Sequence, residues 1–232
     1  MIMLNILLFI ISNLLSFSNG LENTSWISSN NGIYELRIYS DKYFSVSKYN
    51  LGSKEFISTM GGIYSLEDDY YEILEFNSMD SSKVGDTIFY SNIKIKIKND
   101  SGSLKIDGKE FSKNIDENNL SGSWLMSGIE RRGEMRMRDI NRPRKTMKLL
   151  AGNRFQWIAY DISKKGFYGT GGGTYTAIDG KYVENIEFFS RDSNTVGKSL
   201  EFDFKIEDGD WHHKGFSSKG DPKYEIWTQR KQ

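Results

Sequence analysis

Residues 42–65, KYFSVSKYNLGSKEFISTMGGIYS, are written again at residues 153–176 as NRFQWIAYDISKKGFYGTGGGTYT. At a constant offset of 111, Phe44, Tyr49, Lys54 and Thr59 meet Phe155, Tyr160, Lys165 and Thr170, and Gly61, Gly62 and Tyr64 meet Gly172, Gly173 and Tyr175. After one residue of slippage the offset is 112, and Tyr70, Glu72, Glu75 and Phe76 meet Tyr182, Glu184, Glu187 and Phe188. Val84-Gly85 then meets Val196-Gly197. A register held with a single gap over such a stretch marks an internal duplication. The chain therefore divides into a leading segment, residues 1–20, a first domain, residues 21–118, and a second, residues 119–232, with the polar run Asn114 to Asn119 as a short linker.

Each copy reads as successive strands. Leu200, Phe202, Phe204 and Ile206 alternate with Glu201, Asp203 and Lys205, the period of a strand with one dry face and one wet face. Ile93, Ile95 and Ile97 alternate with Lys94, Lys96 and Lys98, but counted from Val84-Gly85 this row stands in the opposite phase, which predicts a bulge or shifted register. Further strands are predicted at 34–39, 43–49, 55–59, 62–66 and 70–76, and at 145–150, 154–160, 166–170, 173–177 and 182–189, with turn residues such as Ser40-Asp41 and Asp179-Gly180 between them. Short strands at this spacing predict an all-β chain, each copy a small antiparallel up-and-down barrel or a sandwich. The best helical chance is a turn or two within 128–140. Gly171-Gly172-Gly173 lacks the Lys-Ser/Thr of a phosphate loop and is expected to make a sharp hairpin or to let an aromatic ring cover the backbone.

The chain has 232 residues, no cysteine, and 31 basic against 31 acidic side chains. Disulfide scaffolds, thiolate metal sites and cysteine nucleophiles are excluded, and a net charge of zero gives no overall pull toward nucleic acid or an anionic membrane. The cancellation is local, however: residues 21–119 carry 11 basic and 16 acidic groups, and residues 120–232 carry 20 and 15. Met1 to Phe17 is almost wholly apolar, and Ser18 and Gly20 suit a secretory cut after Gly20, which implies a secreted or periplasmic location. The alternative is a retained anchor, the one circumstance that would place the protein at a membrane.

The second copy opens with Gly122-Ser123-Trp124 and ends with Glu225-Ile226-Trp227-Thr228-Gln229-Arg230. The opening resembles the Gly-x-Trp signature of lipocalins and related calycin barrels, and the resemblance implies that Arg230 stacks on Trp124 to close the barrel base. The block from Phe155 through Gly171-Gly172-Gly173-Thr174-Tyr175 to Glu184 and Phe188 is similar to secreted bacterial lipocalin-like domains. The first copy departs from that pattern: Trp26 has no preceding glycine, and Glu110-Phe111-Ser112 stands where a Trp and an Arg are expected. Its closure is therefore open.

Candidate site residues gather in the second copy. Glu184 shares a strand face with Tyr182, Ile186 and Phe188, so it is either a polar anchor on a pocket floor or half of a structural pair with a Tyr or Lys; Glu72 sits likewise. Phe155 and Trp157 share a face and are core residues first and pocket wall second, and Phe202 and Tyr175 complete the expected lining. His212 and His213, adjacent on a strand, point to opposite faces, and no third ligand with metal spacing accompanies them. Some barrels of the resembled superfamily hold haem through one histidine; the simpler expectation is exposed strand residues and no cofactor. The basic run from Arg131 to Lys148 lacks the interleaved aromatics of nucleic-acid binding, and its preferred partner is the acidic first domain, ahead of a glycan or lipid surface. No Ser-His-Asp set and no pair of inward carboxylates within one domain is evident, so the chain reads as non-catalytic. The expected function is a binding protein holding a small apolar ligand in the second barrel. The alternative is an envelope module with filled barrels that binds a protein or glycan, and a hydrolase would require two carboxylates brought together by folding.

Overall fold

The computed structural model describes residues 20–67, 69–98, 101–114 and 120–231, and the expectations for the leading apolar segment and for most of the linker lie outside these residues. The first copy contributes β1 (Thr24–Asn30), β2 (Ile33–Ser40), β3 (Tyr43–Asn50), β4 (Glu55–Leu66), β5 (Tyr70–Asn77), β6 (Thr87–Phe89), β7 (Ile93–Lys98), β8 (Ser101–Ile106) and β9 (Lys109–Lys113). The second contributes β10 (Gly122–Arg131), β11 (Glu134–Met137), β12 (Arg144–Ala151), β13 (Arg154–Asp161) and β14 (Gly166–Ile178). It continues with β15 (Lys181–Phe189), β16 (Ser199–Glu207), β17 (Asp210–Phe216) and β18 (Pro222–Gln229). All pairings are antiparallel, and the expected all-β fold of tandem barrel units is observed.

In the second copy β12 to β18 run in order, and β18 returns to β10, closing an eight-stranded barrel with Trp124 opposite Gln229. The first copy is a curled, open half-barrel in the order β6-β5-β4-β3-β2-β1-β9-β8-β7. Its short last strand does pair, β9 with β1. The opening lies elsewhere, at the phase slip in the sequence. Where the second copy has the unbroken β16, the first has β6 ending at Phe89 and β7 starting at Ile93, at opposite ends of the sheet.

Two expectations are corrected. Residues 128–140 form no helix but the β10–β11 hairpin, turning through Arg132 and Gly133 at φ of 57° and 80°. The left-handed Arg-Gly pair suits a two-residue hairpin turn better than a helix. The glycine run is not a hairpin: β14 passes straight through it, with a bulge between Gly172 and Gly173. A Cβ on Gly172 would stand 2.5 Å from the Phe155 carbonyl oxygen and 2.5 Å from the Phe188 ring, so glycine lets that ring lie on the backbone, the other expected role. Among the described residues, helical structure is confined to 3-10 turns at Ser81–Lys83 and Ser193–Thr195, each capped by an aspartate (Asp80, Asp192) and each followed by the repeated Val-Gly.

The copies pack through β2–β5 and β12–β15. Leu36, Ile38 and Phe76 meet Met147, Leu149, Ile158 and Phe188 in a buried apolar seam. Equivalent residues exchange partners across it. The Tyr160 hydroxyl donates to Glu75 Oε2 at 2.7 Å, and the Tyr49 hydroxyl donates to Glu187 Oε2 at 2.5 Å. Phe56 stacks on its own equivalent, Phe167, with ring centroids 6.3 Å apart. Such reciprocity is the pattern of a twofold dimer interface, here joined in one chain. Arg230 adds an asymmetric clamp: it holds Glu75 through two hydrogen bonds of 2.7 and 2.8 Å and lies 3.9 Å over Tyr43. The stack expected on Trp124 is thus made on Tyr43 instead, because the carboxylate that orients the guanidinium belongs to the first copy. Trp124 packs edge-on against Trp211.

Both partners of this clamp are largely buried. Arg230→Ala is expected to cost about 3–5 kcal/mol by leaving Glu75 without a counter-charge. In urea unfolding the further change Glu75→Gln should recover part of that loss. A cost below about 1 kcal/mol would class the contact with surface ion pairs.

Candidate functional site

The closed barrel has a packed end and an open end. At the packed end Phe155, Tyr175, Tyr182, Trp211 and Leu150 fill the interior. Above them lies a cavity of about 620 Å³, within the range of small-molecule sites. Alternate residues of six strands line it: Met126 from β10, Lys148 from β12, Trp157 and Ala159 from β13, Glu184 and Ile186 from β15, Leu200 and Phe202 from β16, Glu225 and Trp227 from β18. Of the residues singled out in the sequence, Trp157, Glu184 and Phe202 stand on the cavity wall, and Phe155, Tyr175 and Tyr182 form the solid floor beneath it.

Two ion pairs stand on the cavity wall. Lys148 Nζ bonds Glu184 Oε1 at 2.8 Å, and both groups are buried. The ammonium also lies 4.7, 4.9 and 5.0 Å from the ring centroids of Trp211, Trp227 and Tyr182, a cage that offsets part of its lost hydration. Burial alone would raise the Glu184 carboxyl; the Lys148 charge, with His213 and Lys223, outweighs it and holds the group below its usual range. Lys148 bears the cost, since burial pushes it down despite Glu184. The second pair joins Lys223 Nζ to Glu225 Oε1 at 3.1 Å, and His213 Nδ1 approaches Glu225 Oε2 at 3.4 Å.

The Lys148–Glu184 pair is itself duplicated. Its equivalent in the first copy is Arg37–Glu72, also 2.8 Å. There the surroundings are saturated: Tyr90 donates to Glu72 Oε2 at 2.7 Å, Tyr70 bonds the same carboxylate, and Tyr39 and Tyr70 share a 2.8 Å bond. Phe202 and Leu150 stand where the first copy has Tyr90 and Tyr39, so the second copy keeps the pair but loses these hydroxyls.

Glu225 was not legible as a site residue, although its alternation with Trp227 in Pro222–Gln229 carries the signal. Two carboxylates do therefore share one cavity. Each is paired with a lysine and each is held below its usual range, with burial opposed first by Lys223 in the case of Glu225, so neither is poised to give up a proton as a general acid near neutral pH. Of the histidines, His212 takes the expected outer position, its Nδ1 2.8 Å from the Tyr224 hydroxyl. His213 is a correction: it is fully buried against Phe202, Tyr182 and Trp211, because it faces the barrel interior rather than solvent.

The open end is basic. Arg131, Arg138, Arg142 and Arg144 line the mouth together with Arg191 from the bend just after β15. Arg132, Arg136, Arg138 and Arg142 of the basic run lie between β10 and β12, where the second copy is longer: Trp26 pairs with Arg37 eleven residues on, whereas Trp124 pairs with Lys148 twenty-four residues on. The extra residues make the β10–β11 hairpin and the loop after it.

Fold and site together define an all-β tandem protein with one filled half-barrel and one cup. Residues 119–232 match the family described as a domain of unknown function, DUF4488, so the match covers the copy that holds the cavity. No curated protein matches the chain.

Burial first, and then the nearby Lys148 charge, pushes His213 down to about 4 from an ordinary 6.5, so it is neutral when folded at neutral pH. The unfolded chain binds its proton first, and the associated stability, present above pH 6.5, is lost as pH falls toward 4. The loss is expected to reach about 3 kcal/mol. Glu184 and Glu225, with lowered values, add their own loss only below about pH 4.5. Urea unfolding between pH 7 and 5 should show the slope in the parent and not in His213→Gln; equal slopes would assign it to other groups.

Proposed function

We propose that this is a secreted or periplasmic, non-catalytic binding protein of lipocalin-like type, which holds a small apolar ligand in the second barrel. The observation that carries the reading is the cavity of about 620 Å³ inside the closed sheet, walled by Met126, Trp157, Ile186, Leu200 and Phe202. Burying a ligand against such walls supplies the affinity. The paired charges of the wall limit where a polar group can sit and so orient the ligand. Trp227, also on the wall, has a buried indole N–H with no hydrogen-bond partner among the described residues, and a ligand acceptor would satisfy it. The first copy acts as a support: it covers the outer faces of β12 to β15 through the seam, and its own interior is closed by the Arg37–Glu72–tyrosine network.

Native mass spectrometry of protein purified from its source is expected to show a co-purifying small molecule. Ala159→Trp should fill the cavity and weaken binding of an uncharged apolar probe at least tenfold, with the unfolding midpoint changed little. Unchanged probe binding in that variant would place the ligand elsewhere.

A further inference from the structure

The cavity is electrically uneven along its axis. Low in the cavity Lys148 is matched by Glu184, and higher on the wall, where Glu225 stands opposite Ile129, Lys223 is matched by Glu225. At the mouth five arginines meet two carboxylates that are already engaged: Asp139, held by Arg142 at 3.5 Å, and Glu225, which acts on Arg138 but is paired with Lys223 at 3.1 Å. Arg131, Arg138 and Arg144 have no ion-pair partner among the described residues, although they share one opening. Arg138 is held below its ordinary range, by burial first and then by Arg131, with Glu225 opposing and Arg144 adding to the lowering.

The rim is also built rather than loose. The Arg144 guanidinium lies 4.3 Å over the Tyr168 ring, and Arg191 donates twice to the Tyr168 carbonyl oxygen at 2.6 and 3.0 Å while lying 5.7 Å over Trp157. Two cations are thereby fixed at one side of the mouth, directly above a wall residue of the cavity. The hairpin that brings Arg131 and Arg138 has no counterpart in the first copy, which is the copy without the closed barrel.

Resting on the binding reading above, we infer that the ligand is a single-chain amphiphile with an anionic head, a carboxylate or a phosphate monoester, held with its tail in the barrel and its head at the arginine rim. The reverse orientation would bring the head against Glu184, whose lysine is already engaged, in a poorly hydrated space where like charges repel strongly. At the rim the same head meets planar donors suited to bidentate binding of carboxylate or phosphate.

The test uses the full chain and an uncharged fluorescent probe, N-phenyl-1-naphthylamine, displaced by four ten-carbon compounds: decanoate, decyl phosphate, 1-decanol and decylamine. Decanoate, decyl phosphate or both should displace the probe at least tenfold more tightly than 1-decanol, decylamine should be the weakest, and added salt should narrow the gap. The better of the two anions identifies the head. Arg138→Gln with Arg144→Gln should bring the anions to the level of the alcohol and leave the alcohol unchanged. Arg132→Gln with Arg136→Gln, on the same hairpin but off the cavity wall, should change neither. Equal binding of all four heads would overturn the rim assignment and leave the cavity reading standing. A probe that does not bind at all would overturn the cavity reading itself, and the rim assignment with it.

Discussion

The faces of β2 and β12 are the constraint on which the molecule turns. Leu36 and Ile38, like Met147 and Leu149, point outward into the seam between the copies, so the alternate positions must point into the barrels. Those alternate positions include Arg37 and Lys148, each nearly excluded from solvent. A cation aimed into a barrel is tolerated only with a counter-charge, and Glu72 and Glu184 supply it from β5 and β15. The seam therefore dictates a buried pair in each copy, and the pair in the second copy in turn sets the polar chemistry of the cavity.

This inversion explains which parts of the structure could be read from the sequence. The duplication, the strand-rich character, the tandem barrel units and the inward carboxylates at Glu72 and Glu184 were legible, because alternation and repeat register are local signals. The expected pairs of strands at 55–59 with 62–66 and at 166–170 with 173–177, by contrast, are each one continuous strand, β4 and β14. The cations facing those carboxylates were not legible. In Leu36-Arg37-Ile38 and Met147-Lys148-Leu149, alternation says that one row is dry, and the usual inference that the dry row faces the barrel is wrong when a second copy covers the outside. Arg230 was misassigned for the same reason, since its partners Glu75 and Tyr43 lie in the other copy. The phase slip at Ile93 marked the position of the break but not its consequence, because a bulge and a broken strand leave the same trace in a single sequence.

The copies diverge at two places, and both bear on the cavity. Breaking the strand at residues 90–92 sends β6 and β7 to opposite ends of the first sheet and leaves it open. Lengthening the β10–β12 connection in the second copy leaves the barrel closed and adds a basic hairpin at its mouth. Inside, Tyr90, which donates to Glu72, and Tyr39, which bonds Arg37 and Tyr70, are replaced in the second copy by Phe202 and Leu150, and space appears above the equivalent pair. One ancestral plan has become a solid support and a cup.

Support and cup are mechanically joined, because the same strands serve both. Along β13, Trp157 and Ala159 face the cavity while Ile158 and Tyr160 face the seam. Along β12, Lys148 faces the cavity between Met147 and Leu149, which face the seam. A strand cannot shift its inner row without shifting its outer one, and packed interiors resist such movement. The seam contacts of the first copy therefore fix where Lys148 and Trp157 stand on the cavity wall. Without that cover, Met147, Leu149, Ile158 and Phe188 would form a contiguous apolar surface of the kind that soluble proteins bury. A chain carrying only the cavity-bearing copy would have to cover this face with another partner. The reciprocal Tyr49–Glu187 and Tyr160–Glu75 contacts show that a second copy of the same fold is one such cover.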